Sequence, residues 1–296
     1  MKRMMVIINP KSGLFFQKRH LNEKIERWID KSKFSISFHH TEYAGHAKEL
    51  ALQAVREGMD YVVGIGGDGT LNEIASSLVH TPVAMGIIPM GSGNGLARHL
   101  GIPMDIKKAF SLLNQEHVEE IDYCTANGKP FFCTFGVGYD ANVSVRFSHE
   151  KIRGKWGYLK SMWKEWVQFS PIPYTISAQG ETIHGEAFML NCANISQWGN
   201  GAYISPEASV KDGFCNISIL APFKFLHIPV LLYRIFFKRI HKDSSFSSFK
   251  DTHIMLSLAG ESVAHYDGEP CMVEKEVEIL THHLGLKVIV SQKSNL

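Results

Sequence analysis

The sequence predicts an N-terminal α/β domain with a doubly wound, mostly parallel sheet, followed by a C-terminal antiparallel β-sandwich. Up to about residue 118, short apolar runs alternate with segments of helical periodicity, as in parallel sheets covered by helices on both faces. Beyond that point, apolar runs follow one another with few helices between them, which is typical of a sandwich. We therefore predict domains over residues 1–125 and 126–296.

Four buried strands are expected in the first domain, each followed by a polar or glycine-rich loop. Their apolar runs are Met4 to Ile8, Phe34 to Phe38, Tyr61 to Ile65 and Val83 to Ile88. Because the carboxyl ends of parallel strands meet at one edge of a sheet, the four loops should gather there, where ligands bind in such sheets.

The loop after the third strand carries the most informative motif, Gly66-Gly67-Asp68-Gly69-Thr70, which leads into a helical pattern from Leu71 to Leu78. Glycines let backbone N–H groups approach a bulky anion, and a helix N-terminus favours negative charge. An acid and a hydroxyl among the glycines favour a nucleotide phosphate site over a plain strand–helix turn. A second glycine loop, Pro89 to Gly95, follows the fourth strand.

Composition excludes several classes of protein. The net charge of +2 over 296 residues predicts no nucleic-acid partner. The five cysteines are widely spaced and form no Cys-x-x-Cys pair, which indicates neither a zinc site nor a disulfide framework and fits a reducing cytoplasm. The N-terminal apolar run is too short for a signal peptide, and no window has the length of a transmembrane helix.

In the second domain, Asn127-Gly128 between apolar runs predicts a hairpin. The predicted strands are Phe131 to Phe135, Tyr174 to Ala178, Phe188 to Ile195, Phe214 to Leu220, His253 to Leu258, Val277 to Thr281 and Leu286 to Val290.

Two further segments combine bulky apolar and basic residues. Lys155 to Phe169 contains Trp163 and Trp166, and Phe223 to His241 is rich in Phe, Leu, Ile and Arg. Such segments suit a membrane interface, and the pattern fits helices packed on the β domain equally well.

Seven motifs, in order, resemble the diacylglycerol kinase catalytic-domain family of lipid kinases, which includes sphingosine and ceramide kinases. The chain is similar to the soluble bacterial members over essentially its whole length. The motifs are Asn9-Pro10-Lys11-Ser12-Gly13, Thr41 with Gly45-His46-Ala47, Gly66 to Thr70, Pro89 to Asn94, Asn194 with Gly199 and Gly201, Pro206-Glu207-Ala208 before Lys211-Asp212-Gly213, and Asp267-Gly268-Glu269. The glycine motif alone is shared with NAD kinases, so the order of the set makes the resemblance specific.

The resemblance implies an NAD-kinase-like nucleotide domain, an active site in the cleft between the domains, a C-terminus that returns to the first domain, and ATP and Mg²⁺ as cofactors. Asp267 and Glu269 would face the acceptor hydroxyl, and Asp68 would serve phosphoryl transfer. Asp212, with oxygens near Ser209 and Phe214, matches the family's magnesium position. The implied nucleotide-binding residues are Asn9, Pro10, Lys11, Ser12, Gly13, Thr41, Gly45, Gly66, Gly67, Asp68, Gly69, Thr70, Asn72, Glu73, Gly91, Ser92, Gly93 and Asn94.

We therefore expect an ATP-dependent lipid kinase that phosphorylates a primary hydroxyl of diacylglycerol or a sphingoid-type lipid. An NAD-kinase-like enzyme and a non-catalytic nucleotide-regulated binding protein are the alternatives. Gly95 stands where many bacterial diacylglycerol kinases carry an acid, and this loop looks more like that of sphingosine kinases. The expected partner is a lipid at a membrane surface. We expect the protein to be cytoplasmic and peripherally attached to the membrane, and whether it forms a homodimer is left open.

Overall fold

The computed structural model describes residues 1–13, 20–149 and 169–292, which fold into two compact units. The first unit contains Met1–Asp122 and Leu284–Leu296, and the second contains Tyr123–His283. The chain therefore leaves the first unit once and returns to it with its C-terminal segment.

The first unit is built on a parallel sheet. Its strands are β1 (Lys2–Ile8), β2 (Phe34–His40), β3 (Tyr61–Gly66) and β4 (Ala84–Pro89), in the order β2-β1-β3-β4. The end of the last strand of the chain, Glu276–Ile289, pairs in parallel with β4 through Val288 and Met85. The helices are α1 (Leu21–Trp28), α2 (His46–Arg56), α3 (Asp68–Leu78), α4 (Gly95–His99) and α5 (Ile106–Leu113).

Burial explains this sheet. Met4 to Ile8 and every residue of β3 and β4 are buried, as expected of parallel strands covered on both faces. The helices contribute their apolar faces, for example Leu50 and Ala54 of α2. The predicted class of the first domain is confirmed, and the loops after all four strands lie at one edge of the sheet because the strands run parallel.

The second unit is a β-sandwich, as predicted. Its elements are the end of β5 (Val118–Ala126), β6 (Lys129–Phe131), β7 (Thr134–Gly138), α6 (Tyr139–His149), β8 (Ile172–Ala178), β9 (Glu181–Ala187), β10 (Met189–Ala193), β11 (Gln197–Gly199), β12 (Ala202–Tyr203), β13 (Cys215–Leu220), α7 (Ile228–Phe236), β14 (Phe246–Asp251), β15 (His253–Leu258), β16 (Ser262–Tyr266), β17 (Glu269–Val273) and the start of β18 (Glu276–Ile289). One antiparallel sheet has the order β14-β13-β10-β7-β16-β17, and β18, β15, β8 and β9 form a second antiparallel set. Buried residues of both, such as Phe135, Ile217 and Leu256, share one core.

The Asn127-Gly128 hairpin is confirmed, with φ of 47° and 75° at its two turn residues. Two other predictions are wrong in detail. The run Phe131 to Phe135 is interrupted between β6 and β7, and the two segments predicted over Val277 to Thr281 and Leu286 to Val290 form the single strand β18, which ends at Ile289. Strand β9 and helix α6 were not predicted. Six of the seven residues of β9 are exposed, so the strand needs no alternation of apolar residues and its sequence shows none.

The strand β18 stays continuous through a residue that looks like a break. Leu284 has a φ of 50°, and its N–H donates to Asp122 Oδ1 at 2.8 Å. Because this hydrogen bond satisfies the backbone at the irregular residue, the strand does not end there.

The apolar and basic segment Phe223 to His241 forms a 3₁₀ turn at Phe225–His227, the helix α7, and a second turn at Ile240–Lys242. Leu231 and Ile235 face the sandwich, and the opposite face is exposed. The other predicted segment, Lys155 to Phe169, lies outside the described residues except for its last member. No helix in the described part of the chain is long and apolar enough to cross a membrane.

Candidate functional site

The two glycine loops of the first unit are joined by the carboxylate of Asp68, the first residue of α3. Its Oδ2 accepts a hydrogen bond from the N–H of Asn94 at 2.9 Å, and its Oδ1 accepts one from the N–H of Gly95 at 2.8 Å. Hydrogen bonds to an ionised group contribute about 1.5–3 kcal/mol each. Asp68 therefore holds the second glycine loop against the first.

The second glycine loop is also held by its own side chains. Asn94 accepts from the N–H of Gly91 and donates to its C=O, both at 2.8 Å, and Arg98 donates to the carbonyl of Gly93 at 3.0 Å. Arg98 was not among the predicted site residues. The signal that points to it is its position four residues after Asn94, in the first turn beyond the loop, where its side chain can reach back.

The backbones of the two loops meet where only glycine fits. A Cβ placed on Gly91 would lie 2.6 Å from the Cα of Gly67, and one on Gly66 would lie 2.7 Å from the Cβ of Thr70. Gly67 is the N-cap residue of α3 and has no side chain with which to cap the helix. A helix N-terminus beside close-packed glycines presents backbone N–H groups, the donors that a phosphate group needs.

The loop after β1 is tied to the same helix. Asn9 Nδ2 donates to Thr70 Oγ1 at 2.8 Å, and Asn9 Oδ1 accepts from the N–H of Lys11 at 2.9 Å. The N–H of Ser12 donates to the Asn9 carbonyl. This places the turn Asn9 to Gly13, with its lysine, next to the first turn of α3.

The loop after β2 is held by Glu73 of α3. The Glu73 carboxylate accepts from the N–H of Gly45 at 2.8 Å and from that of Ala47 at 3.1 Å, and so caps the start of α2. The N–H of Thr41 donates to the Ile8 carbonyl. All four predicted loops therefore come together in the first unit, and Glu73 serves as an anchor of one of them. Their role in binding nucleotide stays a prediction.

In the second unit, Asp267 and Gly268 form a two-residue turn between β16 and β17, with φ of 50° and 85°. Tyr266 pairs with Glu269 across this turn. The turn therefore separates Asp267 from Glu269, which begins β17.

The Asp267 carboxylate accepts three backbone hydrogen bonds, from the N–H groups of Phe132 at 3.0 Å, Cys133 at 2.7 Å and Thr134 at 2.9 Å. These three amides run from the break after β6 to the first residue of β7, and the Asp267 carboxylate accepts their hydrogen bonds. Asp267 therefore anchors the turn, whereas Glu269 is exposed at the start of β17.

The predicted metal position lies in a tight turn at Asp212 to Phe214. Asp212 Oδ1 accepts from the N–H of Phe214 at 3.1 Å, and the ammonium of Lys250 lies 3.0 Å from Oδ2. Ser209 Oγ accepts from the N–H of Lys211. The Lys250 ammonium pairs with the carboxylate, and no group of three acidic, histidine or cysteine side chains occurs among the residues that the structure describes, so the metal position, which includes backbone oxygens, stays a prediction.

The architecture has counterparts among solved structures. A diacylglycerol kinase from Bacillus anthracis strain Sterne superimposes with a TM-score of 0.77 at 20% identity, over 99% of this chain and 98% of that one. An NAD kinase from Archaeoglobus fulgidus in complex with ATP gives a TM-score of 0.55 at 14% identity, over 98% and 94%. These superpositions show that the chain shares the fold of both kinases.

Sequence comparison identifies the family to which the chain belongs within this fold. The model of the diacylglycerol kinase catalytic domain matches residues 3–126, and that of the YegS C-terminal NAD kinase beta sandwich-like domain matches residues 133–286. The diacylglycerol kinase of Staphylococcus saprophyticus is 27% identical over 295 residues, which cover 95% of each chain. The chain belongs to the diacylglycerol kinase family and is a kinase.

Proposed function

We propose that the protein is an ATP-dependent lipid kinase that transfers the γ-phosphoryl group to a primary hydroxyl of diacylglycerol or of a sphingoid-type lipid. The pair of glycine loops that Asp68 fastens together at the carboxyl edge of the parallel sheet carries the proposal. A relative named diacylglycerol kinase that aligns along 95% of both chains supports the choice of a lipid acceptor.

Backbone amides would hold the phosphates of ATP, since the sequence has no G-x-x-x-x-G-K-[ST] motif. The first turn of α3, up to Thr70, and the amides of Ser92 and Gly93 would supply these donors, because the N–H groups of Lys11, Ser12, Gly91 and Asn94 donate within the loops. The side chain of Lys11 would supply a cation. Bound ATP would supply the phosphoryl group, and Mg²⁺ would neutralise the charge of the phosphates. The chain's own part is positioning: Asp68 orients the second loop, and Asn9 aligns the first turn of α3 through Thr70.

On the acceptor side, Glu269 is the group that we assign to proton removal from the lipid hydroxyl. It is exposed, and it follows a turn that Asp267 holds through three amides. General-base assistance of this kind typically contributes about 10²–10⁴-fold in rate.

The exposed face around α7 is the surface that we assign to membrane contact. Leu226 is 87% exposed and Phe237 is 63% exposed, and Phe225, Tyr233 and Phe236 are about half exposed. The same segment carries four exposed basic residues, Lys224, Lys238, Arg239 and Lys242, and no Asp or Glu occurs between Gly213 and Lys242. Exposed aromatic and aliphatic side chains together with cations complement an anionic bilayer, at about 1 kcal/mol per basic residue near the surface.

The nearest acid in sequence, Asp243, does not cancel this charge at the surface. Its side chain is fully buried and accepts hydrogen bonds from His227 at 2.8 Å, Arg234 at 2.7 Å and Ser245. Burial opposes ionisation of the carboxyl, but these hydrogen bonds outweigh it and hold the pKa of Asp243 well below its usual range. Asp243 therefore fastens α7 from the inside and leaves the outer face basic.

The activity is tested by incubating the purified protein with γ-labelled ATP, Mg²⁺ and separate dispersions of diacylglycerol and sphingosine, with NAD as the soluble acceptor. We expect label in a lipid. Because Gly95 departs from the acidic residue of many bacterial diacylglycerol kinases, the comparison of the two lipids assigns the headgroup. Label in NAD alone would replace the proposal by an NAD-kinase-like activity, and label in none of the acceptors would favour a nucleotide-regulated binding protein.

Membrane contact is tested separately by sedimentation with vesicles that contain anionic lipid. The double variant Leu226→Ser/Phe237→Ser should bind at least about tenfold more weakly, because each side chain forfeits roughly 1.5–3 kcal/mol when fully inserted. Met272→Ser is the control, since Met272 on β17 is 61% exposed, close to the 63% of Phe237. Equal losses in both proteins, or binding that ignores salt, would contradict the assignment.

A further inference from the structure

A buried polar cluster lies next to the turn that carries Asp267 and Glu269. Asp140, in the first turn of α6, lies 3.0 Å through its Oδ2 from His265 Nε2 on β16, and accepts from Asn191 Nδ2 on β10 at 3.3 Å. His265 is only 3% exposed, and the other two side chains are buried as well. Polar groups are rarely buried in a β-sandwich unless they are paired, because desolvation without a partner is costly.

The strand between these side chains makes room for them. Gly136 of β7 pairs with His265 on one side and with Asn191 on the other. A Cβ at Gly136 would lie 2.5 Å from both Asp140 Oδ2 and His265 Nε2. The cluster is therefore built into three adjacent strands and the helix that follows β7.

The imidazole of His265 connects this cluster to the turn. The N–H of Gly268 donates to His265 Nδ1 at 3.3 Å. Because Nδ1 accepts this hydrogen bond, the ring proton resides on Nε2, which donates to Asp140. Asp140 thus sets both the tautomer and the orientation of the ring that holds Gly268.

We propose that His265, oriented by Asp140, is a positioning residue for phosphoryl transfer that fixes the Asp267-Gly268 turn and thereby the placement of Glu269. The turn is held by the Asp267 carboxylate on the amides of Phe132 to Thr134, by the Asp267 N–H on the Thr134 carbonyl at 2.8 Å, and by the Gly268 amide on His265, which is the contact at the residue next to Glu269. This inference rests on the proposed lipid kinase function. A misplacement of about 1 Å at a reacting group costs on the order of 100-fold in rate, so His265 affects the rate without touching the acceptor.

Two variants separate the two hydrogen bonds of the ring. In His265→Asn the side-chain oxygen takes the place of Nδ1 and still accepts from Gly268, but the contact with Asp140 is lost. In His265→Gln the side-chain nitrogen takes the place of Nε2 and still reaches Asp140, but the acceptor for Gly268 is lost. Both variants remove the ring from the same buried site, and Gln fills more of the space that it leaves.

We expect His265→Gln to lower kcat for lipid phosphorylation by about 10- to 100-fold at an unchanged KM for ATP, and His265→Asn to stay within about threefold of wild type. A purely structural role predicts the opposite order, with losses that follow the melting temperatures and with Gln tolerated better. A Gln variant as active as the Asn variant overturns the inference. His253→Gln, at an exposed site on β15, controls for loss of a histidine from the same unit.

Hydrogen exchange at the Gly268 amide gives a readout that does not depend on activity. Exchange should be faster in His265→Gln than in the wild type or in His265→Asn. Equal exchange in the three proteins overturns the inference and leaves the kinase proposal untouched. A wild-type protein that phosphorylates no lipid overturns the kinase proposal, and with it the positioning role.

Discussion

Replacing Asp68 by asparagine tests the loop arrangement with almost no change in side-chain shape. The asparagine oxygen can accept from the N–H of Asn94 or of Gly95, but its NH₂ group then faces the other amide. The loss of one charge-assisted hydrogen bond, with weakening of the second, costs about 1.5–3 kcal/mol. If this energy is lost from the bound transition state, phosphoryl transfer slows by about 10- to 150-fold, at about 1.36 kcal/mol per factor of ten.

Asp60→Asn is the matched control. Asp60 precedes β3 and its Oδ2 accepts from the N–H of Arg3 at 2.7 Å, so the same chemical change removes a carboxylate charge and weakens a backbone hydrogen bond at the opposite end of the strand. Initial rates against ATP, titration of a non-hydrolysable ATP analogue and thermal unfolding are measured for both variants. We expect only Asp68→Asn to lose rate and nucleotide affinity, and we expect both variants to stay folded at the assay temperature. Wild-type kinetics for Asp68→Asn, or an equal loss for Asp60→Asn, would refute the reasoning.

Three further results are expected. Asp243→Asn should lower the free energy of unfolding by about 2–3 kcal/mol in a denaturant titration, less than the ~3–5 for a fully buried pair because its arginine partner is partly exposed. Since the folded pKa of Asp243 is depressed, this difference should persist down to about pH 4, the pKa of an unfolded Asp, and shrink only as the pH falls further toward the folded pKa. In the native protein a thiol reagent should label only Cys271 rapidly, because the other four cysteines are buried, whereas five thiols should react after denaturation. Gly136→Ala should destabilise the second unit by more than about 2 kcal/mol through its clash with His265, and Gly260→Ala, with open space around it, should not; equal melting temperatures would contradict the crowding.

Local patterns in the sequence were sufficient for the fold class and for the position of the four loops of the first unit. Apolar runs ending in glycine or Asn-Pro turns predicted the four strands and their loops. Parallel pairing then brought those loops to one edge, because every strand presents its carboxyl end there. The same patterns failed where backbone geometry departs from periodicity, as at Leu284, whose N–H donates to Asp122 and lets β18 run on through an apparent break.

The sequence by itself determined which residues stand in the glycine loops and which carboxylates belong to the motifs. Only the tertiary structure decided what those carboxylates do. Asp68 accepts from amides 26 and 27 positions away, and Asp267 accepts from amides more than 130 positions away. Nearly every residue has a backbone N–H, so the sequence does not indicate which of these donors a carboxylate will meet. The hydrogen bonds from Asp140 through His265 to Gly268 could not be predicted from the sequence either, because only folding brings the start of α6, strand β16 and the turn together.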